Sequence, residues 1–521
     1  MTSPPTDVES GHTPRAAAPQ AASGQGGAFR RTLGTPKIVF LVIAAAAPLA
    51  AVVGTVPLSF AIGNGVGVPA MFVFAGLTLL CFSVGYAAMS RRIVNAGGFY
   101  SYLAAGLGRP VAVAGGLLAV VAYNAAAIGL AGAFAYFGHL VFAQAGLNVP
   151  WQVWGAAGIL LMAFLGYRQI DVSARVLAVL MVGEVTVLGL LDIAVLIRRG
   201  GAALPAASFS PGAILAPGIG VSLMFALVAF VGFESAALYG EESRNPRRSV
   251  PLATYLSVIV IAVFYALTSW VAVGAVGPDR LKPEAGRQLG NLFFGLTTSY
   301  LGDVITAVMG ILLCTSLFAS LLAIHNAANR YMFVLGRDGV LPAALGSVHR
   351  RRRSPHRASL TQTACTVVVV GVFAIAGLDP YVNLATAMTG LGTLGIILLQ
   401  ASAAAAVIGF FRRRSDRHWW RTLLAPALGF LGLATSTVLV VRNYGLLTGS
   451  SSPVVNALPL LLLLVALGGV GYAYRIRSRR SDQYATLAAV EHREPPEPLR
   501  SVADAGPSPV PAEGTDAADA A

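Results

Sequence analysis

Charge is what this sequence has least of. Only 11% of its 521 residues are acidic or basic, against 56% hydrophobic, whereas soluble domains carry roughly 25% charged residues. A globular core cannot absorb so much apolar surface, because soluble chains divide into polar-coated domains beyond roughly 250–300 residues. A chain facing lipid can. Cysteine is also scarce. Cys81, Cys314 and Cys365 lie singly inside apolar runs with no histidine beside them, which argues against a disulfide framework or a metal site. Catalytic signatures are missing too: no H-E-x-x-H, no G-x-S-x-G elbow and no Walker loop. That pattern points away from an enzyme and from an ATP-driven pump, and calls for no cofactor. The first residues, up to about Ala28, lack the apolar core of a signal peptide.

What the chain does have is long apolar segments. A helix needs about 20 such residues to cross the hydrocarbon layer. Segments of that kind start near residues 37, 67, 111, 151, 174, 213, 251, 301, 358, 382, 422 and 454, which predicts twelve spans in an all-α polytopic membrane protein. The net charge of +14 sits in short clusters between them, such as Arg350 to Arg353 and Arg412 to Arg414. Clusters placed so set topology and do not form a nucleic-acid surface. With both termini cytosolic, the inner loops collect most of the basic residues. The outer loops keep only Arg198, Arg199, Arg280, Lys282, Arg287 and Arg442. The 58 glycines suit helices that associate by close packing of small residues. The expected organisation is a cytosolic tail over 1–34, a ten-helix membrane core over 35–411, two more helices over 412–476, and a second tail over 477–521.

Two spans carry helix breakers. Pro48, Gly54 and Pro57 fall across the first, where proline removes an amide donor and crowds the preceding turn. The sixth reads MFALVAFVGFESAALYG, with Gly232 followed by its only acid, Glu234. Irregular backbone at membrane depth survives where it lines a cavity or is buried in protein, and breaks at matching positions of two halves point to an inverted-repeat transporter.

Three further stretches then carry a resemblance. FVGFESAALYGEESRNPRRSVPLA (230–253), NAGGFYSYLAAGLGRP (95–110) and NAANRYMFVLGRDGVLPAAL (326–345) resemble signatures of the amino acid–polyamine–organocation permeases, in the same order. The resemblance covers about residues 35–475. It implies a LeuT-like fold with a 5+5 inverted repeat plus two peripheral helices, and alternating access across the plasma membrane. It also implies that substrate carboxylate and amino groups meet the opened backbone at Pro48, Ala51, Val52, Val53 and Gly54, and at Ala229, Phe230, Gly232 and Phe233. Many relatives have a Gly-Ser-Gly bend in the first span. Here Ala51, Val52 and Val53 precede Gly54, which leaves room for an amine lacking a carboxylate. The predicted activity is proton-coupled amino acid symport. The alternatives are amine transport, exchange, or a sensor with the same fold.

Two acids are candidates for proton coupling, Glu234 beside the second break and Glu184 in the fifth span, because carboxyls at membrane depth are costly and usually functional. Proton-coupled relatives place a lysine near the position of Glu184. Asp192, eight residues on, is expected to be a solvated vestibule residue. Asn124 matches a helix-3 asparagine that touches substrate in relatives, Phe230 offers a lid, and Thr315, Ser316 and Ser320 match a possible sodium site. Thr386, Thr389 and Thr393 could line the pore, and His325 is expected to anchor a loop.

Overall fold

The computed structural model describes residues 34–93, 98–168, 174–233, 243–349, 354–412, 414–415, 417–448 and 456–488. Proline stands at the start of many of the helices, where its missing amide leaves nothing unpaired. The first span is two pieces, α1 (Thr35–Ala46) and α2 (Pro48–Ile62). There follow α3 (Val68–Ser90), the short α4 (Phe99–Leu107), and α5 (Arg109–Gln144). Next come α6 (Trp151–Arg168), α7 (Ala174–Arg199), α8 (Ile219–Val228) and α9 (Pro246–Val276). Two short helices, α10 (Leu281–Gln288) and α11 (Leu292–Leu301), precede the long α12 (Asp303–Arg337). The remainder are α13 (His356–Ile375), α14 (Thr386–Arg412), α15 (Ala425–Arg442), α16 (Leu458–Arg479) and α17 (Ser481–Thr486).

Among the described residues nine helices are long and apolar enough to cross a bilayer, and the bent α1–α2 pair makes ten. The two other segments of the sequence count fall short of that measure. α6 has only 18 residues, with Gln152 and Arg168 among them, and α8 stops after 10. Large apolar side chains face outward, Ile375 being 90% exposed and Ile197 78%, as a lipid-facing wall requires.

α5 is the central post, with α12, α14 and α16 packed along it and α6 and α4 beside it. Small residues bring the backbones together. A Cβ at Gly106 would stand 2.0 Å from the carbonyl oxygen of Ala406, and one at Gly392 2.6 Å from the amide of Ala126. Without a hydrophobic force between helices in lipid, such contact is what holds them.

Two expectations change here. His325 is inside α12 and not in a loop. It is fully buried and hydrogen-bonds Gln362 and, at 3.0 Å, Ser359 of α13, so it ties two spans together. Residues 477–488, assigned to a tail, are structured. Arg109 donates to the carbonyls of Ala485 (2.8 Å) and Leu487 (3.4 Å). Asp338 accepts from the amide of Ala488 and the hydroxyl of Tyr100, both at 3.1 Å. Tyr484 lies beneath Arg109 and Arg477. These bonds give a polar-looking segment partners that composition could not show. Residues 1–33 lie outside the described residues.

Candidate functional site

Two helix interruptions meet at one cavity. The first is at Ala47, earlier than the Pro48–Gly54 stretch expected, and Gly54 and Pro57 sit inside an unbroken α2. The proline ring disfavours helical geometry in the residue before it, so the helix stops at Ala47, which takes a left-handed conformation (φ 46°, ψ 73°) that costs a residue with a Cβ about 1–2 kcal/mol. The two pieces bend by 41°. The amide of Leu49, at the start of α2, has no carbonyl behind it in its own helix. It donates instead to Glu184 Oε2 at 3.1 Å. The same oxygen accepts from the Ser316 hydroxyl of α12 at 2.9 Å. Glu184 is 4% exposed, so its carboxyl group joins α7, the break and α12 from within the protein. The freed carbonyl of Ala46 takes the Tyr265 hydroxyl of α9 at 3.4 Å.

The second interruption follows α8. The amides of Phe230, Val231 and Phe233 each bond three residues back, at 3.2, 3.0 and 3.1 Å, so the chain tightens where the helix ends. Gly232 has φ 113°, open to glycine and strained for any other residue. Glu234, the acid expected there, lies outside the described residues.

Between the breaks is a cavity of about 350 Å³, within the size range of small-molecule sites. The first break contributes Ala46, Ala47, Ala50, Ala51 and Gly54, and the second contributes Ala229, Val231 and Gly232. α5 adds Tyr123, Ala126, Leu130 and Ala133; α12 adds Ser320, Ala327, Arg330 and Tyr331; and α14 adds Thr386 and Thr389. Among the described residues Arg330 is the one charged side chain on its wall. The wall is otherwise mostly apolar, with hydroxyl groups spread over it.

The sequence candidates divide accordingly. Ala51, Gly54, Ala229, Gly232, Ser320, Thr386 and Thr389 reach the cavity. Pro48, Val52 and Val53 are buried in the core away from it, since a helix presents only one stripe to a given neighbour. Phe230 and Phe233 are fully buried and pack edge-on against Tyr265 and Phe82, so Phe230 is no lid in this structure. Asn124 donates to the Val120 carbonyl of its own helix at 2.7 Å, and its neighbour Tyr123 takes the cavity face. Thr393 is buried off the cavity. The hydroxyls of the expected sodium site are dispersed. Thr315 bonds the Leu312 carbonyl, Ser316 is engaged by Glu184, and Ser320 faces the cavity. Asp192 is not solvated. It is 4% exposed and accepts from Thr268 at 2.7 Å.

Arg330, Tyr331 and Tyr381 were missed. The first two lie in a stretch read only as a family signature, and Tyr381 lies just before the tenth apolar run. A tyrosine preceding an alanine- and glycine-rich span is the signal that could have marked it, because its ring and hydroxyl can serve two neighbours at once.

A family model described as amino acid permease matches residues 33–467. Over 221 residues the chain is 28% identical to the branched-chain amino acid permease BcaP of Lactococcus lactis subsp. cremoris, covering 41% of this chain and 43% of that one. It is 25% identical to the low-affinity putrescine importer PlaP of Escherichia coli (strain K12), over 63% of this chain and 70% of PlaP. The methylthioribose transporter of Bacillus subtilis (strain 168) is 26% identical over 64% of this chain and 72% of its own. The alignment with BcaP thus takes in less than half of that protein's length.

Proposed function

This chain belongs to the amino acid permease family, and from that membership we propose that it is a secondary active transporter and not an enzyme. It moves an amino acid across the cytoplasmic membrane by alternating access, in symport with a proton. The observation that carries this reading is the Glu184 carboxyl group, held by the Leu49 amide and the Ser316 hydroxyl beside a cavity that both helix breaks line. A proton arriving at Glu184 weakens its grip on Leu49 and Ser316, because a neutral carboxyl accepts more feebly than a carboxylate. The state of the break is thereby linked to the proton. Engagement of Ser316 by Glu184 supports a proton over sodium as the coupling ion.

The substrate reading rests on Arg330. A fixed cation on the cavity wall attracts a carboxylate and repels a diamine, which favours an amino acid over a polyamine. In this reading α1 to α7 supply the first repeat of a LeuT-like core and α8 to α14 the second, with α15 and α16 peripheral. The distribution of arginine supports a cytosolic side for the end of the bundle that holds Arg109 and Arg337.

Reconstitution in liposomes tests the proposal. In Glu184→Gln, accumulation driven by a pH gradient is expected to fall at least tenfold while substrate counterflow persists. Undiminished pH-driven accumulation would sink the coupling role. Failure of the unaltered protein to show saturable counterflow with any amino acid or amine would sink the carrier reading and favour a sensor.

A further inference from the structure

At the end of the bundle that holds Arg109 there is a second hollow, apart from the central cavity and set between α14 and α15. Gly409 of α14 packs at this end against α4, where a Cβ on it would stand 2.5 Å from the Gly106 carbonyl oxygen. α14 then ends at Arg412. The hollow has a volume of about 310 Å³ and is lined by Ile408, Phe411, Arg412, Arg417, Thr422 and Leu423. Its two charged groups are both arginines. Among the described residues no hydrogen bond or ion pair engages either guanidinium, whereas nearby Arg414 lies over the Phe410 ring at 4.7 Å. In sequence, residues 412–421 hold five arginines and one aspartate, so the segment as a whole is strongly positive.

The chain leaves the hollow through a π-helical turn, Trp419–Leu424, that leads into α15. His418 fixes the turn. Its Nδ1 accepts from the amides of Trp420 and Arg421 at 3.2 and 3.4 Å, and its carbonyl accepts from the Thr422 hydroxyl at 2.8 Å. Two indoles are thereby held side by side, with ring centres 6.0 Å apart, and Trp419 is 66% exposed. Tryptophan displayed in this way at the end of a spanning helix suits the boundary between headgroups and hydrocarbon. Beyond it Leu424, Leu428 and Leu431 are all exposed and recur at the spacing of one helical stripe. They make an apolar track that runs along α15 from the hollow into the bilayer.

We propose that this hollow binds one anionic phospholipid, of the phosphatidylglycerol kind, from the leaflet at this end of the bundle. Arg412 and Arg417 donate to its phosphate, the Trp419 ring lies at the level of its glycerol, and one acyl chain follows Leu424, Leu428 and Leu431. The planar guanidinium fork matches pairs of phosphate oxygens, and basic pockets between spanning helices are where acidic headgroups are held. A choline or ethanolamine headgroup would bring its ammonium against the same two arginines, a repulsion that a glycerol headgroup avoids. The bound lipid bridges the end of α14 to the start of α15 and so fastens the two helices together. The site stands apart from the proton and substrate readings, since none of its lining residues borders the central cavity.

Native mass spectrometry of the full chain in detergent counts the lipids it keeps. Dioleoylphosphatidylglycerol is titrated against dioleoylphosphatidylcholine, and the unaltered protein is expected to retain one phosphatidylglycerol with about tenfold preference. Arg412→Gln combined with Arg417→Gln is expected to weaken that retention about tenfold, as the loss of two basic side chains at a membrane surface implies. Arg475→Gln combined with Arg479→Gln removes the same charge from the end of α16 and is expected to leave retention unchanged. An equal loss in both double variants would mean that general surface charge attracts the lipid, and overturns the site. Equal retention of the two lipids by the unaltered protein overturns it as well, a result that needs no variant to fold. Displacement of the lipid by millimolar sodium phosphate would mark a site for a soluble anion. A dimer that shows no lipid preference and dissociates on the Arg412→Gln and Arg417→Gln changes would mark a contact between copies. Either of these rejects the lipid.

Discussion

Glu184 engages two helices through one oxygen, Oε2, which accepts from the Leu49 amide and the Ser316 hydroxyl. Removing either donor leaves the buried group half satisfied, a loss of about 1–3 kcal/mol. Ser316→Ala is therefore expected to cut the initial rate of pH-driven uptake several-fold, and Ser316→Thr, which restores a hydroxyl, is expected to recover most of it. If the threonine variant is as slow as the alanine, the side chain serves packing alone. Glu184 could be singled out in the sequence as an acid in an apolar run. Its partners could not, because a contact between residues 135 positions apart depends on how the bundle closes. Asp192 shows the same limit. Its place near the end of the span suggested water, and only the position of Thr268 on α9 reveals a buried hydrogen bond.

The broken first span is where local sequence rules work best and where they need refinement. Proline at residue 48 disfavours helix at residue 47, and the break falls there. Pro57 has the same ring and no such effect, and the helix runs on through it with Val53, Val56 and Leu58 buried beside it. Breakers identified from composition are thus candidates, and packing decides which of them open the chain. Pro48→Ala should let α1 run into α2, since an interior proline costs a helix about 3 kcal/mol or more. The Leu49 amide would then turn from Glu184 to the carbonyl of Ala45 in its own helix. A variant that gains thermal stability while losing at least tenfold in uptake is the expected outcome. Uptake at the parental rate would show that the break is dispensable.

On the scale of the whole molecule, an all-helical bundle with many long apolar helices was legible from composition, because such helices answer to the bilayer rather than to the fold, and ten of the twelve expected segments meet the measure of a span among the described residues. The docked segment 481–488 was not, since its ties to Arg109 and Asp338 join residues 376 and 150 positions apart. Truncation after Arg480 is expected to lower the melting temperature by a few degrees relative to truncation after Ala488, because it strips Arg109 of the Ala485 and Leu487 carbonyls and leaves the Asp338 carboxylate with the Tyr100 hydroxyl but without the Ala488 amide. Equal melting temperatures in detergent would show that this segment contributes nothing to the bundle. The cavity has a consequence of a different kind. At about 350 Å³ it holds on the order of ten water molecules when no solute is present. In the proposed alternating-access cycle the chamber therefore ferries solvent on every empty return, and a solute too large to enter it would, by osmotic pull, favour whichever conformation has squeezed it dry.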